Sequence, residues 1–397
     1  MDYSDVPFDA KAAGLLTVEE ARGQLEVAAP LDCATFWTGD PGLAAEYGKG
    51  WDYGSLTDPC AAWVTTPEGE VYQLTRQAAQ MLASTAKLNK KYQEFLPPAL
   101  LTSCVNFALQ EGLDERELKL LLSGTPGRGP APAGESDGTE CPLAVAQCRA
   151  TITPFSDVRL LDTVLLAVRA KLGHAVADSA EVDPKIFHDL EHTSFRVVFP
   201  AAQQVIAGTG EDDDAWCFGI EVSNSLIGAK QTVVSGYMFR LATTAGVTDV
   251  ERSLGGFNRR GSTPEAVFGW AAEAADYCLD GMEAAFNGLQ VLTRTGVDAD
   301  YNTVLAQLFR DYPVAKDLKF RILSALEDTP GRLSMYDVAH AASVTANLNG
   351  TNWRAVRSLL DLAGGIVHQG GGMCDGSLPA GCRRLLPEDW TPPAGES

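Results

Sequence analysis

Positive charge is what this 397-residue sequence is short of: 31 Lys and Arg stand against 52 Asp and Glu, a formal net charge of −21. Such a field repels polyanions in general, so any nucleic-acid contact must come from a local basic patch. Paired cysteine motifs are missing too. The nine cysteines include no CxxC, and their odd number and apolar settings suit reduced, buried thiols. No run of about 18 apolar residues and no apolar signal core after MDYSDVPFDA argue for a membrane span or a secretory leader. A GK[ST] phosphate loop is absent, and Gly208 with Gly210 lack the third glycine of a dinucleotide fingerprint, so no cofactor is expected.

What is present begins with a hydrophobic share of 45%, ample for a core in two or three cooperating subdomains. The clearest local pattern is Trp216 to Gly246. Phe218, Ile220 and Val222 alternate with Gly219 and Glu221, as in a half-buried strand. In the second arm Val233, Ser235, Tyr237, Phe239 and Leu241 oppose Val234, Met238 and Arg240, which predicts a strand covered on both faces. Asn224, Ser225 and Gly228 supply the turn. RATITPF, SFRVVFP and QQVIAG predict further strands. Asp157 to Leu172 repeats apolar residues every three or four positions, as an amphipathic helix does.

The expected organisation is α+β, with a mainly antiparallel central sheet flanked by helical N- and C-terminal regions. Residues 1–123 read as mainly helical, with helices at Thr17 to Ala28, from Leu74, and after Pro97 and Pro98. Residues 124–140, dominated by Gly, Pro and small polar residues, read as a flexible loop. Residues 141–261 form the β-rich core. Residues 262–378 are helical: Thr263 and Pro264 open a long helix, shorter ones follow from Tyr301, Lys316, Met335 and Trp353, and Gly364 with Gly365 end the last. Residues 379–397 are a tail.

Candidate chemistry is sparse. His188, Glu191 and His192 fit the H-x-x-E-H arrangement of inverted zinc proteases, which needs a helix; the extended SFRVVFP that follows favours a polar helix end instead. The acidic run Glu211 to Asp214 reads as a solvated turn or a metal site. Asp298, Asp300 and Asn302 imitate a calcium loop without its glycine and final glutamate, and His368, Cys374 and Cys382 have no common zinc spacing. Two clusters suit phosphate. Lys87, Lys90 and Lys91 lie close together, and the loop LGGFNRRGS offers Arg259, Arg260 and a stacking Phe257 before a helix N-terminus. Each has a plainer alternative, a solvated helix end or arginines paired with local carboxylates. Arg240 is either a buried ion-pair partner or a ligand contact.

Four segments, beginning VYQLTRQAAQ, CRATITPFSD, GIEVSNSLIG and LSMYDVAHAA, resemble in this order the phage- and plasmid-encoded family catalogued as domain of unknown function 932. The resemblance spans roughly Val71 to Val367 and is carried best by Asn224-Ser225 with Gly228 and by Arg240 followed by Gly246. Thr243 and Ala245 stand where that family usually has a cysteine and an asparagine, so no role is transferred to them. The resemblance implies a mobile-element origin and the host cytoplasm. Together with the basic clusters it leads to the expectation of a single-stranded DNA-binding protein, an oligomeric annealing factor, with no catalytic set. The alternatives are an acidic protein that binds a host factor or mimics DNA, and a zinc-dependent hydrolase.

Overall fold

The computed structural model describes residues 14–27, 32–56, 58–112, 117–127, 141–149, 151–183, 187–189, 192–209, 214–228, 230–241, 246–297, 301–312, 314–327, 329, 333–346, 353–372 and 382–384. The chain mixes helices with largely antiparallel sheets. The central sheet has seven strands. Along it run Leu16–Thr17, Glu181–Val182, His192–Val205, Ala215–Asn224, Val233–Arg240 and Gly246–Ser253, with Phe187–Asp189 also paired to His192–Val205.

The expected hairpin is the middle of this sheet, with Phe218 opposite Met238 and Glu221 opposite Ser235. Phe239 is buried, as its alternation predicts. The first arm differs from expectation. Ala215–Asn224 is covered on both faces, and Glu221 is only 2% exposed. SFRVVFP and the start of QQVIAG, Gln203 to Val205, belong to a single strand, with an irregularity between Phe199 and Gln203 that re-registers it.

Several helices pack against this sheet. Asp157–Leu172, matching its expected limits, is capped by Ser156 and bonds to the sheet through Asp157 and Asn224. Pro264–Asp280 opens on the Thr263 cap, and its Cys278 lies against the Val234 carbonyl. The single long helix expected from Thr263 onward divides at Gly281 and resumes as Met282–Thr293, since a residue without a side chain holds a helix interior weakly. Met335–Ala346 carries the Ser334–Asp337 capping box. Trp353–Gly372 runs through Gly364 and Gly365 instead of ending there. Tyr312 packs where a Gly365 side chain would stand, so the glycine serves close packing. The tail is not all loop, because Cys382–Arg384 pairs with Thr295–Val297.

The N-terminal region is not mainly helical. It holds a six-stranded sheet in the order Asp32–Trp37, Glu117–Gly127, Cys141–Arg149, Val71–Thr75, Pro59–Thr65 and Ala44–Tyr47, with one parallel pair, Val71–Thr75 beside Cys141–Arg149. Arg76–Thr85 and Pro98–Phe107 pack Ala78, Leu82, Leu101 and Val105 onto it. Strand residues such as Leu118 and Leu120 reach their partners only across long stretches of chain, which local periodicity does not record. The expected loop begins later than Gly124, since Glu117–Gly127 continues to a Gly127–Cys141 pair; 128–140 lie outside the described residues. RATITPF is not a strand, for the ladder ends at Arg149.

The two sheets meet where Leu226 and Ile227, between the hairpin arms, pack with Leu121, Ala146, Cys148 and Ile152. Gly228 has φ 65°, and a side chain there would collide with Ile152. Burial pushes the Cys60 and Cys148 thiols up to about 12. Among the described residues no helix is long and apolar enough to cross a membrane.

Candidate functional site

Among the described residues, three buried polar clusters and one exposed basic surface bear on the sites expected from the sequence. The first cluster follows from strand register. Arg196, Glu221 and Ser235 stand directly opposite one another on three adjacent strands and so share one face. Arg196 donates to Asp183 at 3.2 Å and to Glu221 at 3.5 Å, and Ser194 donates to Glu221 at 3.2 Å. From the helix Trp353–Gly372, Arg357 donates to the other Glu221 oxygen at 2.7 Å and pairs with Asp361 at 2.7 Å. The Arg196 guanidinium also lies 5.3 Å from the Tyr237 ring centroid.

Burial opposes the charge on Arg196, but Glu221, Tyr237 and Asp183 outweigh it and raise its pKa. At the rim, burial pushes the Asp361 carboxyl up to about 6, helped by Glu221 and opposed by Arg357. Two guanidiniums and three carboxylates therefore lock a helix to the sheet. Sequence patterning placed Glu221 towards solvent and passed over Arg196. The available signal was a charged residue alternating within strands that are apolar on both sides.

The second cluster surrounds Arg240, which is buried. It pairs with Asp214, to which Tyr336 also donates, and its Nη1 donates to His340 Nε2 at 2.8 Å. Trp216 Nε1 donates to the Tyr336 hydroxyl at 3.2 Å. Burial, reinforced by Arg240, lowers the His340 pKa to about 4, in keeping with a neutral ring accepting the arginine proton. Arg240 is thus an ion-pair partner, and its placement does not favour the alternative of a ligand contact. Asp214 is fully buried, contrary to a solvated acidic turn; residues 211–213 lie outside the described residues.

The third cluster contains the residues expected to read phosphate. Arg259 is 3% exposed and turned inward: it donates to the Ser225 carbonyl, to the Thr153 carbonyl at 2.6 Å and to Asn224 Oδ1 at 3.3 Å. Its guanidinium lies 4.2 Å from the Phe155 ring centroid, and burial lowers its pKa to about 10. Asn224 also donates to Asp157 at 2.6 Å and accepts from Thr232 at 2.9 Å. Asn224, Ser225 and Gly228 therefore fasten the junction between the sheets. Phe257 is half-buried against Trp270, with centroids 5.5 Å apart. The expectation of a solvent-facing arginine pair with a stacking phenylalanine is corrected: five donors in a planar fork suit the carbonyls that converge here, and only Arg260 remains exposed.

The zinc reading is corrected too. His188 lies in the strand Phe187–Asp189 and His192 in His192–Val205, with His192 opposite Asp189 and Thr193 opposite His188. A hairpin register does not set the two residues one helical turn apart, as that motif requires. His192 is buried and its Nδ1 lies 3.4 Å from Ser223 Oγ; Glu191 is outside the described residues. Among the described residues no group of three His, Cys, Asp or Glu is placed to hold a metal. Asp298, Asp300 and Cys374 lie outside them.

The lysines are where a ligand could reach them. The helix Arg76–Thr85 ends before Lys87, which has φ 62°, and Lys90 and Lys91 begin a separate turn, Lys90–Gln93, capped by Asn89. All three are exposed. Beside them Tyr92 is 67% and Phe95 84% exposed, and the Phe95 N–H bonds the Tyr92 carbonyl at 3.1 Å, so the aromatics sit one turn apart. Buried Gln93 fixes this turn by donating to Ser84 Oγ at 3.0 Å and the Leu88 carbonyl at 2.8 Å. These aromatics fall outside the apolar stripe of the preceding helix, and that was their signal in the sequence.

No protein-family profile, curated protein or solved structure matches the chain.

Proposed function

We propose that the protein binds single-stranded nucleic acid through the surface formed by Lys87, Lys90, Lys91, Tyr92 and Phe95, as an oligomeric DNA-metabolism protein of phage type. One observation carries the reading: exposed Lys87, just beyond one helix, and exposed Lys90 and Lys91, opening the next turn, lie within eight residues of two aromatic rings that are 67% and 84% exposed. Lysines neutralise phosphate while rings stack on bases, the division of labour that suits an unpaired strand better than a duplex. The phage or plasmid setting, and with it the host cytoplasm, rests on the four resembling segments.

Titration with single-stranded and duplex oligonucleotides at two salt concentrations tests this. Single strands should bind more tightly, and replacing the three lysines by Gln should reduce the salt slope by about two units. Tyr92→Ala with Phe95→Ala should weaken binding by roughly tenfold or more with the slope kept. Absence of binding to either form at low salt would sink the proposal and favour the second reading, an acidic protein that engages a host factor, for which the net charge of −21 speaks. A strict monomer with and without DNA would remove the oligomeric part.

A further inference from the structure

Among the described helices of eight residues or more, Pro98–Phe107 is the one that carries no charged side chain, in a chain whose net charge is −21. Its inner side packs Leu101 and Val105 into the N-terminal core. Thr102 and Asn106 hold the strand Ala44–Tyr47: Thr102 Oγ1 accepts from the Tyr47 amide at 2.9 Å, and the Asn106 side chain bonds the Ala45 amide and carbonyl at 2.7 and 3.0 Å. The outer side is open. Leu100 and Phe107, two turns apart at i and i+7, are 49% and 63% exposed, with Ser103 exposed between them. A π-helical turn, Ala108–Gly112, prolongs the helix, and the Gly39 amide donates to the Leu109 carbonyl at 2.8 Å. That bond brings the strand end bearing Trp37, which is 51% exposed, to this end of the helix.

Large apolar side chains exposed on one face mark a contact with another molecule, whereas scattered ones need no explanation. The two ends of this face say which molecule. Lys90 and Lys91, with Lys87 before them and Glu94 after, stand exposed ahead of its N-terminal end, and exposed Glu111 stands at its C-terminal end. A surface that is basic at one end, apolar in the middle and acidic at the other is its own complement when turned end for end. A second copy laid antiparallel across a two-fold axis sets each basic end beside the other copy's Glu111, and each Phe107 towards the other copy's Leu100. A polyanion would meet no cation along the helix itself, and an unrelated acidic protein would match only one of the two ends.

We propose that the outer face of Pro98–Phe107 is where two copies of this chain associate, antiparallel and about a two-fold axis. The inference gives an interface to the oligomeric part of the function proposed above and rests on that part alone, since the pairing needs no nucleic acid. Leu100 and Phe107 supply the apolar contact. The charged ends set its direction, because a parallel pair would bring lysines against lysines and Glu111 against Glu111.

The test is sedimentation of the full chain without nucleic acid, from about 1 to 100 μM, a range that covers weak specific association. The wild type should pass from one copy to two. Leu100→Glu with Phe107→Glu, both at exposed positions, should keep the wild-type melting curve and remain monomeric throughout. Charge reversal tests the direction without touching the apolar contact. Glu111→Lys makes both ends basic, and Lys90→Glu with Lys91→Glu makes both ends acidic. Each of these chains alone should associate at least about tenfold more weakly than the wild type, because like charges then meet twice in every pair. Mixed in equal amounts, the two should form a heterodimer about as tight as the wild-type pair. A wild type that stays monomeric at about 100 μM, unchanged association in the Leu100 and Phe107 variant, or a mixture no tighter than its components overturns the proposal. The nucleic-acid reading fails separately, when a wild type that pairs in this way binds no single strand.

Discussion

The two sheets of this molecule treat cations in opposite ways. In the central sheet and the loop that leaves it, Arg196, Arg240 and Arg259 are each 3% exposed, and each answers a carboxylate or converging carbonyls. Beside the N-terminal sheet Lys87, Lys90 and Lys91 stay in solvent next to exposed rings. Side-chain chemistry follows that division. A guanidinium is weakly hydrated and forks to several acceptors, whereas an ammonium is strongly hydrated and flexible. Basic residues that look alike in an acidic sequence therefore do different work, the arginines holding elements together and the lysines remaining available to a ligand.

The largest effect that could break this comparison is Glu221→Ala. It strips a partner from both Arg196 and Arg357 and should lower the unfolding free energy by about 3–5 kcal/mol in a denaturant titration. A loss below 1 kcal/mol would mean that the cluster is not a lock. Acid should act on the second cluster. Because the folded His340 pKa lies near 4, below the ordinary histidine value of 6.5, the unfolded chain takes up this proton first as pH falls. Stability from this group is therefore full above about pH 6.5 and lost towards pH 4, on the order of 2–3 kcal/mol. Melting curves at pH 7.5 and 4.5 should show a smaller drop for His340→Gln than for wild type, and parallel drops would contradict the assignment.

A smaller effect separates neighbours in one loop. Arg259→Ala should destabilise by about 1–3 kcal/mol, since it leaves buried carbonyls without donors, while Arg260→Ala should stay within about 0.5 kcal/mol. Equal values would erase the distinction between a buried and an exposed arginine. The smallest stability change belongs to the triple Lys87, Lys90 and Lys91→Gln variant, expected to melt within a few degrees of wild type. Its consequence should appear in nucleic-acid binding instead, and a large loss of stability would place these lysines among the structural cations.

Several features were legible because their causes are local. Asp157 to Leu172 has a three-to-four repeat, a serine cap before it and a glycine after it, and it folds between the expected limits. Thr263 and the Ser334–Asp337 box mark their helix starts for the same reason. The hairpin arms and the burial of Phe239 follow from period-two alternation. The lysine cluster was visible, but Tyr92 and Phe95 beside it were not singled out, because an aromatic residue in a sequence reads first as core.

By itself, then, the sequence determined an acidic chain with an ample core, the α+β class, the centre of one sheet and most helices of the second half. Only the tertiary structure decided that Glu117–Gly127 and Cys141–Arg149 build a second sheet with strands some 50 to 100 residues earlier. It also decided that His188 and His192 sit on a hairpin, that Glu221 faces two arginines and that Arg259 turns inward while Arg260 does not. Periodicity records which residues share a face of their own element. What that face meets depends on partners distant in sequence, and for a charged side chain that partner settles whether it is part of the scaffold or free to bind.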